Sequence, residues 1–131
     1  MSHLPTVPQW QKIATLKYSN FSAASLTNNV STGYTLPAGS VIMGCLLNPT
    51  TTFSGGSISN YTISIGTVGN YSKYLSAQTV FTGATLTPAT NTGIESMSVV
   101  TTIYATATST SANLNAATQG SVDIYLLVAQ V

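Results

Sequence analysis

Two carboxylates (Glu95 and Asp123), one imidazole (His3), one thiol (Cys45) and three ammonium groups (Lys12, Lys17 and Lys73) are the ionisable side chains this sequence offers besides its tyrosines. General acid–base catalysis needs groups held within hydrogen-bond reach of one substrate. No spacing brings Glu95 to Asp123: the first reads as the top of a strand, the second as an outward position between Val122 and Ile124. A Ser-His-Asp relay would have to draw His3 in from the N-terminal tail. Cys45 sits in the apolar run Val41–Leu47, where a thiol behaves as a small hydrophobe; a nucleophile would want a His or a cation beside it. One Cys with one His makes no zinc site. Two carboxylates make no calcium cage. Gly55-Gly56-Ser57 lacks the lysine and the following helix of a phosphate loop. The residues therefore point away from an enzyme, with no catalytic residue, cofactor or metal expected.

The same scarcity bounds the partners. Charged residues are 4% of the chain and the net charge is +1, against about 25% charged in an ordinary soluble domain. Nucleic-acid binding needs clustered Lys and Arg to displace counterions, and anionic lipid needs a polybasic patch. Neither nucleic acid nor membrane is an expected partner. The apolar runs 41–47 and 124–129 fall well short of the roughly 20 residues that cross a bilayer as a helix. Met1-Ser2-His3-Leu4-Pro5 has neither the basic nor the apolar region of a secretory signal, so synthesis in a cytoplasm is expected. The Asn-x-Ser/Thr sequons at Asn20, Asn29, Asn60 and Asn70 then read as chance products of a Ser/Thr-rich composition. What remains for the surface is hydroxyls, amides and apolar atoms, at a net charge that does little to hold molecules apart.

Hydrophobicity recurs with a period of two, punctuated by Gly, Pro and Asn, and no segment shows a convincing helical period. Strands are predicted at Ile13–Tyr18, around Phe21–Leu26 ahead of an Asn28-Asn29 turn, and into Tyr34–Leu36 before a Pro37-Ala38-Gly39 turn. Ser40–Leu47 is apolar on both faces and should be a central strand, broken by Asn48-Pro49 and followed by a loop over 50–57. Tyr61–Ile65 is the cleanest alternation, and Gly66–Leu75 reads as a loop. Short strands are expected at Thr79–Phe81 and Thr85–Leu86, with turns at Gly83 and Pro88–Asn91. A long strand over Ser96–Thr108, a loop over Ser109–Thr118 and a final strand over Val122–Val128 complete the chain. About eight strands at intervals of roughly 10–15 residues predict an all-β antiparallel sandwich or jelly roll. Pro5 and Pro8 make residues 1–11 an extended N-terminal arm ahead of a single domain over 12–131.

Four aromatic residues are candidates for partner contact: Trp10, Phe53, Tyr71 and Tyr74. Trp10 lies on the arm, where it is either tucked back on its own domain or anchored in a neighbour. Phe53 lies in a Thr/Ser/Gly loop. Tyr61, Tyr71 and Tyr74, with Asn60 and Asn70 nearby, could form a sugar-stacking platform; the plainer reading is aromatic packing of a long loop or contact with a partner.

One series of motifs carries a resemblance. Tyr34-Thr35-Leu36-Pro37-Ala38-Gly39 runs into Ser40-Val41-Ile42-Met43-Gly44, then Thr51-Thr52-Phe53-Ser54-Gly55-Gly56 and Tyr61-Thr62-Ile63-Ser64-Ile65-Gly66. Asn70-Tyr71-Ser72-Lys73-Tyr74-Leu75 follows, and Ala112–Tyr125 closes the series with Ala116-Ala117-Thr118-Gln119-Gly120-Ser121-Val122. From Tyr34 to the end the chain resembles small decoration or cement proteins of tailed-bacteriophage heads. Asn70 and Tyr71 stand where that pattern leads one to expect acidic residues. The resemblance implies a structural protein on the outside of a capsid, bound to the major capsid protein and to neighbouring copies of itself, as a homotrimer, with a terminal arm gripping a neighbour. The alternative is a receptor- or glycan-binding module of a phage tail or fibre, which would need Tyr71 and Tyr74 exposed on one surface. A small hydrolase finds no residues to support it.

Overall fold

The computed structural model describes residues 9–81, 87–90 and 100–130, with the backbone alone at 87–90 and 130. Among these residues eight strands form: β1 (Gln9–Lys17), β2 (Thr27–Leu36), β3 (Ser40–Ser54), β4 (Asn60–Thr67), β5 (Asn70–Thr79), β6 (Thr87–Thr90), β7 (Thr101–Thr110) and β8 (Gln119–Gln130). One four-residue helical turn, α1 (Tyr18–Phe21), and a 3-10 turn at Leu114–Ala116 are the helical elements described.

The strands make two four-stranded sheets, ordered β1-β8-β3-β6 and β2-β7-β4-β5, with every pairing antiparallel. The order follows one rule. β1 pairs with β8, β2 with β7, β3 with β6 and β4 with β5, as if one long hairpin had been wrapped into a sandwich. The β8–β3 and β7–β4 ladders then stitch the wrapped ribbon shut. This is a jelly roll. Between the sheets lies a core built from alternate positions: Ile42, Leu47, Val122, Ile124 and Leu126 from the first sheet, and Tyr61, Ile63, Ile65, Ile103, Ala105 and Ala107 from the second. Period-two alternation produces it, because successive side chains point to opposite faces of a strand.

Several elements differ from the sequence expectation. β1 starts at Gln9, and Gln9, Trp10 and Gln11 lie opposite Val128, Leu127 and Leu126 of β8. Those three residues assigned to an arm are therefore sheet; residues 1–8 lie outside the described residues. Phe21–Leu26 is no strand. The Asn20 side-chain oxygen accepts the Lys17 backbone N–H (2.7 Å) and closes a helical turn that buries Phe21 completely. Asn28-Asn29 is no turn either. Asn28 donates to the Phe21 carbonyl of α1 (3.3 Å) and Asn29 accepts from Thr106 Oγ1 of β7 (2.7 Å), and β2 runs through both residues.

β3 runs through Asn48-Pro49 to Ser54 rather than breaking. Pro49 lies opposite Val122 of β8, and the ladder shifts register between Pro49 and Thr51, the kind of irregularity at which a proline without an N–H is accommodated. The predicted loop Gly66–Leu75 is instead the β4–β5 hairpin. Pro88-Ala89-Thr90, expected as a turn, belongs to β6. The Pro37-Ala38-Gly39 turn forms as expected: the Ser40 N–H donates to the Pro37 carbonyl (3.2 Å), and Gly39 takes φ 89°, which only glycine adopts freely. The readings at Gly83, Thr85–Leu86 and Ser96–Val99 lie outside the described residues, as do His3 and Glu95.

Candidate functional site

β1 is an edge strand lying beside β8, and its outward positions are Trp10, Lys12, Thr15 and Lys17. They stand opposite Leu127, Tyr125, Asp123 and Ser121 of β8. On the other side of β8, Gly44, Leu46 and Asn48 of β3 continue the same rows. The outer face of this sheet thus divides in two. Toward the start of β1 it carries Trp10, Leu127, Leu46 and Tyr125, with Lys12 opposite Tyr125; toward the end it carries Thr15, Asp123, Asn48, Lys17 and Ser121. An outer face of a half-exposed sheet is ordinarily polar. Leu46, Leu127 and Tyr125 are half-buried there, and Trp10 is 46% exposed. The two-sided apolar character read at Ser40–Leu47 is thus real at its core: Ile42, Cys45 and Leu47 point inward while Leu46 lies on the outer face.

The ends of the sandwich also differ. At one, the start of β1, the end of β8, the β2–β3 turn and the β4–β5 turn come together, as the registers Gln9↔Val128, Ser40↔Gln130 and Leu36↔Thr101 require. Trp10 is at this end, with Val68 at 69% and Val100 at 66% exposure. The opposite end is tied down by backbone bonds between its loops: Leu114 N–H to the Ser25 carbonyl (2.9 Å), Asn115 N–H to Ala23 (3.0 Å) and Thr118 N–H to Ser54 (2.9 Å). Leu26 is the large apolar side chain exposed there.

The four aromatic candidates separate. Phe53 is fully buried, stacked on Tyr61 (ring centroids 4.7 Å) and edge-on to Phe21 (6.4 Å), so it is core and not a contact surface. Its assignment to a loop missed that β3 reaches Ser54. Tyr74 is 2% exposed and belongs to the same core cluster. Tyr71 is half-buried and meets Tyr104 of β7 edge-on at 5.8 Å. Tyr61, Tyr71 and Tyr74 therefore share no surface, and the sugar-stacking platform does not form. Trp10 alone of the four is a large exposed ring. Leu46, Tyr125 and Leu127 were not singled out from sequence; the signal for them was apolar residues on the outward parity of β3 and β8.

Three extra residues of β5 explain the fate of the tyrosines. The register steps from Ile65↔Leu75 to Thr67↔Asn70, so the segment between Asn70 and Leu75 bulges. It folds over the outer face of β4 at Gly66, where a Cβ would run into the Asn70 carbonyl oxygen and the backbone of Tyr71 and Lys73. Ser64 Oγ donates to the Tyr71 carbonyl (3.0 Å) and pins the bulge.

Asp123 Oδ1 accepts a hydrogen bond from Thr15 Oγ1 (2.6 Å) on the outer face, as an outward position predicts. Burial pushes the Cys45 thiol up to about 12 from its ordinary 9.0, against a backbone bond at Leu46, so it stays protonated and unreactive. Among the described residues no group of three His, Cys, Asp or Glu side chains could hold a metal ion, and no helix is long and apolar enough to cross a membrane.

No protein-family model matches the chain, and no curated protein matches it. Solved structures do. A chain of the cyanophage Pam1 capsid asymmetric unit is similar at TM-score 0.66 and 16% identity, over 95% of this chain and 86% of that one. A chain of the capsid of Ralstonia phage GP4 is similar at TM-score 0.64 and 14% identity, over 100% of this chain and 89% of that one. The shared property is the fold, an antiparallel β-sandwich, over nearly the full length of both partners.

Proposed function

We propose that this chain is a structural component of a tailed-phage virion that binds the outside of the capsid as a cement or decoration protein. The observation that carries the reading is the end-to-end likeness of its jelly roll to chains found in two phage capsids, with little left over on either side. The surface supports it independently. A protein that locks a shell needs a rigid body and broad contacts, and uncharged contacts avoid the desolvation of buried ions. In this reading Trp10, Leu46, Tyr125 and Leu127 face the major capsid protein or a neighbouring copy within a homotrimer, with Trp10 as the anchor. Tryptophan in such a position is the kind of residue that dominates interface energy.

Counting copies in purified particles tests this. A number on the scale of the major capsid protein, retained on washing from low to high salt, is expected. A handful of copies per particle would assign the chain to a tail or fibre instead. The N-terminal segment gives a second measurement. Removing residues 1–8, which spares the β1–β8 ladder, should leave thermal unfolding unchanged and lower capsid occupancy; unchanged occupancy would end the arm's assigned role.

A further inference from the structure

The three positive charges of this chain are all on edge strands. Lys12 and Lys17 lie in β1, the edge of one sheet, and Lys73 lies in β5, the edge of the other. The remaining two edges are blunted differently. β6 contains Pro88, and β2 slips register between Ser31 and Thr35. β1 and β5 also carry register shifts, between Lys12 and Ala14 in β1 and between Asn70 and Leu75 in β5. An edge strand presents unpaired N–H and C=O groups that template the addition of another strand, and lysines, prolines, bulges and short length are the means that oppose it. The need is acute in this chain. Without its two lysines β1 would read Gln9-Trp10-Gln11, then Ile13-Ala14-Thr15-Leu16: an uncharged, proline-free strand containing Trp, Ile and Thr, on a molecule whose net charge would pass from +1 to −1.

We infer that Lys12 and Lys17 hold off strand-to-strand addition of a second copy of this chain at β1, keeping that edge closed so that copies associate through other faces. Both lysines share the outer face of β1 and are exposed. An antiparallel pairing of two copies through β1 would put four ammonium groups on one face within the length of a nine-residue strand. Like charges brought together across strands oppose the pairing. Such a β1–β1 contact is isologous and closes at two copies, but it would tie up the strand that carries Trp10, which matters most for a chain held at high local copy number on a shell.

The test uses the full chain with Lys12→Thr and Lys17→Thr together. Sedimentation velocity should show species larger than the wild type, with the onset concentration lowered roughly tenfold, and an unfolding midpoint near the wild-type value. A Lys12→Arg/Lys17→Arg chain should behave as the wild type. Hydrogen exchange locates the new contact: β1 amides should gain protection in the large species. A double-Thr chain as monodisperse as the wild type would overturn the inference, as would large species in which β1 amides remain as open as before.

Discussion

Cys45 and Tyr61 face each other's problem in different chemistry: each is an acid buried where its charged form has no solvation. Burial raises the Cys45 thiol to about 12 and also raises the Tyr61 phenol, whose hydroxyl has no hydrogen-bond partner. The folded state therefore holds a proton that the unfolded chain releases. For Cys45 the contribution to stability is complete below pH 9.0, the ordinary value of its thiol, and is lost as pH rises from there toward 12. Between pH 8 and 10 urea unfolding should register a loss of about 1 kcal/mol from this group, with Tyr61 adding to the fall only above its ordinary 10.0. Cys45→Val keeps an apolar side chain at the site and should remove most of the loss up to pH 10; an unaltered pH profile would refute the assignment. That Cys45 is buried was legible from its apolar run, and that Asp123 is outward from its place between Val122 and Ile124. Phe53 and Tyr74 were not, because whether an aromatic near a strand end points in or out depends on where the strand stops and where it bulges.

At the scale of elements, β5 is the instructive case. Its sequence, rich in Ser, Tyr and Asn after two glycines, reads as a loop, yet it forms a strand whose first turn is folded over β4. Gly66 makes that possible by having no side chain, and its burial in contact with Asn70–Lys73 is the reason it cannot be replaced cheaply. Gly66→Ala should destabilise the chain by about 1–3 kcal/mol, the usual cost of overpacking. It should also separate Tyr71 from Tyr104, a change visible in near-ultraviolet circular dichroism; a variant with wild-type melting and spectrum would show that the bulge does not sit on Gly66. β3 gives the complementary lesson. Asn48-Pro49 is a sound stop signal by local chemistry, and it is overridden where the ladder to β8 shifts register between Pro49 and Thr51.

For the molecule as a whole, scarcity of charge acts in two places at once. It leaves few ionisable groups anywhere in the chain, and it places the three lysines on edge strands. The all-β class, the period-two core and the burial of Cys45 were determined by the sequence itself, since alternation and composition are local properties that each strand carries whatever its neighbours. The tertiary structure decided the rest: the pairing of β1 with β8 and β4 with β5, the depth of Phe53 and Tyr74, and the gathering of Trp10, Leu46, Tyr125 and Leu127 on one outer face. These depend on which strands lie side by side. A strand's alternation says that it has an inner and an outer face, but only its partners fix the register that turns separate outward residues into a surface.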